Sequence, residues 1–83
     1  MLDTEIKLML EMRAPQWAFE ISGEGRNFTI EVVSDDFEGL TRVKRQQAVY
    51  RLMTDEISDG TLHAITITAL TAAEKLKRKG LGI

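Results

Sequence analysis

Two short runs with a two-residue period constrain this chain more than anything else in it. Trp17, Phe19 and Ile21 alternate with Ala18, Glu20 and Ser22, and Phe28, Ile30 and Val32 alternate with Thr29, Glu31 and Val33. Successive side chains of a strand point to opposite faces, so each run reads as a strand buried on one side. The link Ser22-Gly23-Glu24-Gly25-Arg26-Asn27 has the glycine and asparagine chemistry of a hairpin turn, which sets the two strands antiparallel.

The flanking segments switch to a helical period. Asp3 is placed to cap a helix running to about Arg13, with Ile6, Met9, Leu10 and Met12 at helical spacing, and Ala14-Pro15 ends it. Thr41 is placed to cap a second helix from Arg42 to about Ser58. Its wheel puts Val43, Gln46, Val49, Tyr50, Leu52, Met53 and Ile57 on one half, and Lys44, Gln47, Arg51 and Asp55 on the other. After the stop Asp59-Gly60, the run Leu62 to Thr68 alternates again and predicts a third strand, with Ile65 and Ile67 on one face. Thr71-Ala72-Ala73-Glu74 is a capping-box sequence that opens a last helix ending in Lys75, Lys77, Arg78 and Lys79, with Gly80 as its stop. The order is αββαβα. The strand–helix–strand unit is expected to cross over right-handed and make its strands parallel. The fold class that follows is α/β in the α+β sense, a three-stranded mixed sheet covered by helices, as a single domain over residues 1–83.

Composition narrows the function. At 83 residues, 43% hydrophobic and 29% charged, the chain matches a single small globular domain. It has no cysteine, which excludes disulfides, a thiol nucleophile, a thiolate zinc site and any iron–sulfur cluster held by its own sulfurs. Asp3 and Glu5 stand where a signal peptide would be basic, and no uncharged run reaches the ~20 apolar residues of a membrane span. A cytoplasmic protein without a membrane partner is the expectation. The net charge of −2 argues against a strongly electrostatic nucleic-acid binder, although it leaves the local distribution open.

Catalytic constellations are missing: there is one histidine, no Gly-x-Ser-x-Gly elbow and no phosphate-binding loop. The expectation is a binding protein, not an enzyme. Gly23 and Gly25 join two strands rather than a strand and a helix, so they read as turn residues and not as a dinucleotide site. Asp35 and Asp36 read as turn and cap residues.

Two features remain. His63 has the parity of Ile65 and Ile67 and is expected to be the second residue of its strand, facing the core side at the rim. It is either a strand-end histidine with one nitrogen bonded to backbone, or an imidazole offered to a metal whose other ligands come from a partner. The second helix carries Arg42, Lys44 and Arg45 at its start and Asp55, Glu56 and Asp59 at its end, opposing the helix dipole. That start is either a solvated charged end or an anion-attracting site suited to a phosphate backbone or an acidic partner surface.

Read together, Phe37-x-Gly39-x-x-Arg42-Val43-Lys44-Arg45-Gln46-Gln47-x-Val49-Tyr50 and Leu62-His63-Ala64-Ile65-x-Ile67-x-Ala69-x-Thr71-x-x-Glu74 resemble the BolA family, most of all its short bacterial IbaG (YrbA) branch. The resemblance implies a class II KH-like fold and a monothiol glutaredoxin as partner. A [2Fe–2S] cluster would be shared with that glutaredoxin and glutathione, and His63 falls on the family's cluster-ligating histidine. Relatives often carry a second ligand, Cys or His, in the loop between the first two strands, where this chain offers Glu24 and Asn27. The family is also described as regulating transcription, with stress-linked roles, and its DNA-contacting turn and basic helix start fall on Gly39, Arg42, Lys44 and Arg45. Alone, such a chain is expected to be a monomer or a weak homodimer.

Overall fold

The computed structural model describes residues 1–25 and 27–78. Lys79 and the expected stop at Gly80 lie outside the described residues. Helix α1 spans Asp3–Arg13, the hairpin strands β1 and β2 span Ala18–Glu24 and Asn27–Val33, and a 3₁₀ turn at Asp35–Phe37 leads to helix α2 at Arg42–Tyr50. A second 3₁₀ turn at Arg51–Met53 separates α2 from the short helix α3 at Thr54–Ser58, before strand β3 at Ala64–Leu70 and helix α4 at Ala72–Arg78. The sheet order is β1-β2-β3, with β1 antiparallel and β3 parallel to β2, as the sequence predicts.

Register explains the core. Phe19 lies opposite Val32 and Ile21 opposite Ile30, while Phe28, Ile30 and Val32 lie opposite Ile65, Ile67 and Ala69. One face of the sheet is therefore apolar across all three strands. Ile6 and Leu10 of α1, with Val49 of α2 and Met53, close over it and are fully buried. Glu20, Ser22, Thr29 and Thr66 point the other way and are exposed, and only α4 reaches that side, where Lys75 pairs with Glu31. The result is two layers, helices on one face of a sheet whose other face is wet.

The single helix expected over Arg42 to Ser58 is a correction: it breaks at Arg51–Met53. Two side chains account for the break. Thr54 Oγ1 donates to the Arg51 carbonyl at 3.4 Å, and Arg13 Nη1 donates to the Leu52 carbonyl at 2.6 Å while its guanidinium makes two bonds to Glu56, at 2.7 and 2.9 Å. The Leu52 carbonyl is turned toward α1, a tertiary contact that helical periodicity does not register. The wheel is corrected too: Val49 and Met53 are buried, but Val43 is 65% and Tyr50 39% exposed. At the N-terminus Leu2, not Asp3, holds the cap position of α1, with its N–H donating to Glu5 Oε1 at 2.8 Å. Thr41 caps α2 as expected, Oγ1 accepting from the Lys44 N–H at 3.2 Å, and Thr71 and Glu74 form the expected reciprocal box at the start of α4.

Candidate functional site

β3 carries a different chemistry at each end. Its first residue, Ala64, pairs with Asn27, which in turn pairs with Glu24 across the hairpin. His63 stands one residue before that row, so it precedes the strand instead of being its second residue, and it is exposed rather than turned to the core. The reason is register: β2 begins at Asn27, whose partner is already Ala64.

The backbone under His63 is fixed. The Thr61 N–H donates to Asp59 Oδ1 at 2.8 Å, the Leu62 N–H donates to the Glu56 carbonyl at 3.0 Å, and Leu62 is 1% exposed. Hydrogen bonds from Thr61 hold the Asp59 carboxyl below its ordinary value. An anchored leucine thus precedes an exposed imidazole that no described residue hydrogen-bonds. The hairpin turn lies at this same end of the sheet. Its approach needs Gly23, whose φ is +110° and where a Cβ would stand 2.4 Å from the Asn27 carbonyl oxygen.

Neutral imidazole is a proper ligand for iron, but one nitrogen is a quarter of a four-coordinate site. Among the described residues no three His, Cys, Asp or Glu side chains converge as a metal site. The residues fit a shared ligand and do not fit a self-contained centre.

The far end of β3, roughly 20 Å away at ~3.3 Å per residue, is arranged oppositely. Gly39, with φ at +79°, turns the chain into α2, and Arg42 and Lys44 project from the helix start into solvent. Arg45 does not join them. Its Nε donates to the Leu40 carbonyl at 3.0 Å, and its Nη1 donates to the Ala69 carbonyl at 3.1 Å and to Glu74 Oε1 at 2.6 Å, leaving the side chain 14% exposed. That hydrogen bond from Arg45, with another from the Thr71 N–H, brings the Glu74 carboxyl down to about 2. Gln46 Nε2 reaches the Ile67 carbonyl at 3.4 Å, so two α2 side chains occupy the outer edge of β3.

Asp35 Oδ1 accepts from the Ala72 N–H at 3.2 Å, and Asp36 accepts from Trp17 Nε1 at 2.8 Å. Asp35 is a cap residue as expected, whereas the Asp36 carboxylate makes a tertiary bond to the indole of Trp17 that the sequence did not indicate. Sequence reasoning groups Gly39, Arg42, Lys44 and Arg45; the structure keeps the first three at the surface and makes Arg45 a fastener. Glu74 was visible only as a capping-box residue, because nothing local marks a partner 29 residues away.

The fold and site define a two-layer α+β domain with a wet sheet face and an exposed imidazole beside its hairpin end. The BolA-like protein family model matches residues 4–74, and the chain belongs to that family. Acid stress protein IbaG of Escherichia coli (strain K12) is 36% identical over 74 residues, covering 89% of this chain and 88% of that protein. The solved BolA domain of SufE1 from Arabidopsis thaliana is 34% identical with a TM-score of 0.69, covering 87% of this chain and 93% of that one. Yeast Fra2 is 27% identical with a TM-score of 0.74, over 93% and 86%. No described helix is long and apolar enough to cross a membrane.

Proposed function

We propose that this chain is an adaptor that binds a monothiol glutaredoxin and takes part in holding or passing a [2Fe–2S] cluster, with His63 as its own ligand and stress-linked regulation as its setting. The observation that carries the reading is the placement of His63: exposed, on a hydrogen-bonded backbone, without a hydrogen bond to any described residue, and beside the hairpin end of the sheet. A core or capping histidine would be covered or bonded; this one is presented. When bound, the cluster would supply redox-active iron that accepts the imidazole lone pair. The chain supplies one nitrogen and a surface, and the partner and glutathione supply the sulfurs that it lacks.

Similarity to IbaG, named an acid stress protein, and to a BolA domain of SufE1 supports an adaptor role. The test is to mix the protein with a monothiol glutaredoxin, glutathione and reconstituted cluster, and to record visible absorption and circular dichroism for wild type and His63→Ala. Different cluster spectra are expected. Identical spectra remove His63 as a ligand.

A second reading, DNA-binding regulation, is favoured by the exposure of Arg42 and Lys44 beside Gly39. It proceeds without Arg45, whose donors are already engaged. Duplex DNA titrated at two salt concentrations distinguishes it, since phosphate contacts make affinity fall steeply with salt.

A further inference from the structure

His63 follows an element that cannot hold itself in place. Helix α3 has five residues and buries none of them, and a helix of that length does not persist in water without tertiary support. Ile57 rests half-buried against the core. Among the described residues, the only α3 side chain that hydrogen-bonds to a distant part of the fold is Glu56. Its carboxylate accepts from both terminal nitrogens of Arg13, Nη1 to Oε1 at 2.7 Å and Nη2 to Oε2 at 2.9 Å. Such a fork fixes direction as well as distance. Arg13 is the last residue of α1, whose Ile6 and Leu10 are fully buried, so the fork ties α3 to an element seated on the core.

The main chain of Glu56 reaches the other way. Its carbonyl accepts the Leu62 N–H at 3.0 Å, across a turn that Gly60 makes with φ at +82°. The burial of the Leu62 side chain fixes one bond at its Cα, and the hydrogen bond to Glu56 fixes a second. Together they set the direction in which the chain continues to His63. An exposed ligand has no packing of its own to orient it, so its aim depends on these supporting contacts.

We infer that Arg13 is a positioning residue for His63, acting through Glu56: the fork places α3, and the Glu56 carbonyl then aims the Leu62–His63 backbone. The inference rests on the reading of His63 as a cluster ligand. Arg45, which fastens the far end of β3, supplies the control.

The first measurement is amide hydrogen exchange at Leu62 in the isolated chain, which needs no cluster. The Arg13 side chain is 40% exposed and the pair is therefore screened, so Arg13→Ala and Glu56→Ala are each expected to speed Leu62 exchange about fivefold. The double variant should be no faster than either single one, because both break the same link. Arg45→Ala is expected to leave the rate unchanged, since the Leu62 bond opens with α3 and not with the whole fold. The second measurement is visible circular dichroism of the cluster shared with a monothiol glutaredoxin and glutathione. Arg13→Ala and Glu56→Ala are expected to move the spectrum toward that of His63→Ala, and Arg45→Ala to keep the wild-type spectrum. Should Arg13→Ala fail to fold, Glu56→Ala reads the same route with the Arg13 bond to the Leu52 carbonyl and the Glu56 carbonyl still in place. An unchanged Leu62 rate, a rate raised equally by Arg45→Ala, or a cluster spectrum that responds to His63→Ala but to neither Arg13→Ala nor Glu56→Ala overturns the positioning role. A His63→Ala spectrum identical to wild type overturns it from the other side, by removing the ligand, and the exchange rates tell the two failures apart.

Discussion

The two ends of β3 solve opposite problems. At its C-terminal end Arg45, Gln46, Glu74 and Asp35 satisfy carbonyls, N–H groups and one another, and the strand edge is closed. At its N-terminal end the hydrogen bonds stop at Thr61 and Leu62, and the next side chain, His63, has no hydrogen-bond partner among the described residues. A fold of this size has little stability to spare, and it concentrates polar fastening where the last helix must be attached. The imidazole is carried by backbone geometry alone. The contrast predicts that stability and binding separate at the polar side chains: removing Arg45 at the fastened end destabilises the protein, and removing His63 at the open end changes what it binds.

Phe37→Ala is the largest test. The ring is fully buried, with the Trp17 ring centroid 4.9 Å away, and it anchors the turn that leads to Gly39 and α2. Truncation is expected to cost about 3–5 kcal/mol, the usual range for a large aromatic that leaves a cavity, as read by urea denaturation. A loss under about 1 kcal/mol would mean that the turn is held mainly by the Trp17–Asp36 and Ser34–Asp36 bonds instead.

Arg45→Ala comes next. It strips donors from the exposed Leu40 and part-buried Ala69 carbonyls and breaks the pair with Glu74, and about 2 kcal/mol is expected. Arg42→Ala, three residues earlier and exposed, is expected to stay within about 0.5 kcal/mol. Equal effects of the two would erase the distinction between a fastener and a solvated charge.

The fastened end also sets a pH dependence. Glu74 ionises at about 2 in the folded protein against an ordinary 4.5, so its contribution is fully present above 4.5 and is lost as pH falls from there toward 2. The Glu56 carboxyl, lowered by the hydrogen bonds from Arg13, moves in the same direction. Urea denaturation across that range is expected to show Glu74→Gln with a shallower acid slope than wild type. Parallel slopes would assign the acid sensitivity elsewhere.

What the sequence made legible is local. The strands announced themselves by alternation, and Thr41, Thr71 and Glu74 by capping chemistry, because each needs only neighbours within three or four residues. What it hid is tertiary. Arg13 reaches 39 residues to the Leu52 carbonyl, at the break between α2 and α3, and Arg45 reaches 29 to Glu74. No local pattern separates the arginine that turns inward from Arg42, which does not. The wheel failed at Val43 and Tyr50 for a related reason: an apolar arc shows which residues can be buried, and only the neighbouring layer decides how much of the arc it covers. His63 was picked out by being the chain's only imidazole, but its exposure depends on where β2 begins.

His63→Ala is expected to have the smallest effect on stability and the sharpest effect on function. The side chain is exposed and bonded to no described residue, so removing it exposes no cavity and leaves no partner unsatisfied; stability should stay within about 0.5 kcal/mol. Leu62→Ala, one residue away, removes a side chain that is 1% exposed and should cost about 2–5 kcal/mol. The pair separates support from ligand. If the spectrum of the glutaredoxin-shared cluster changes with His63→Ala while the unfolding curve does not, the imidazole acts on the cluster and not through the fold. If both change together, the open end of β3 is fastened after all, and the division between its two ends fails.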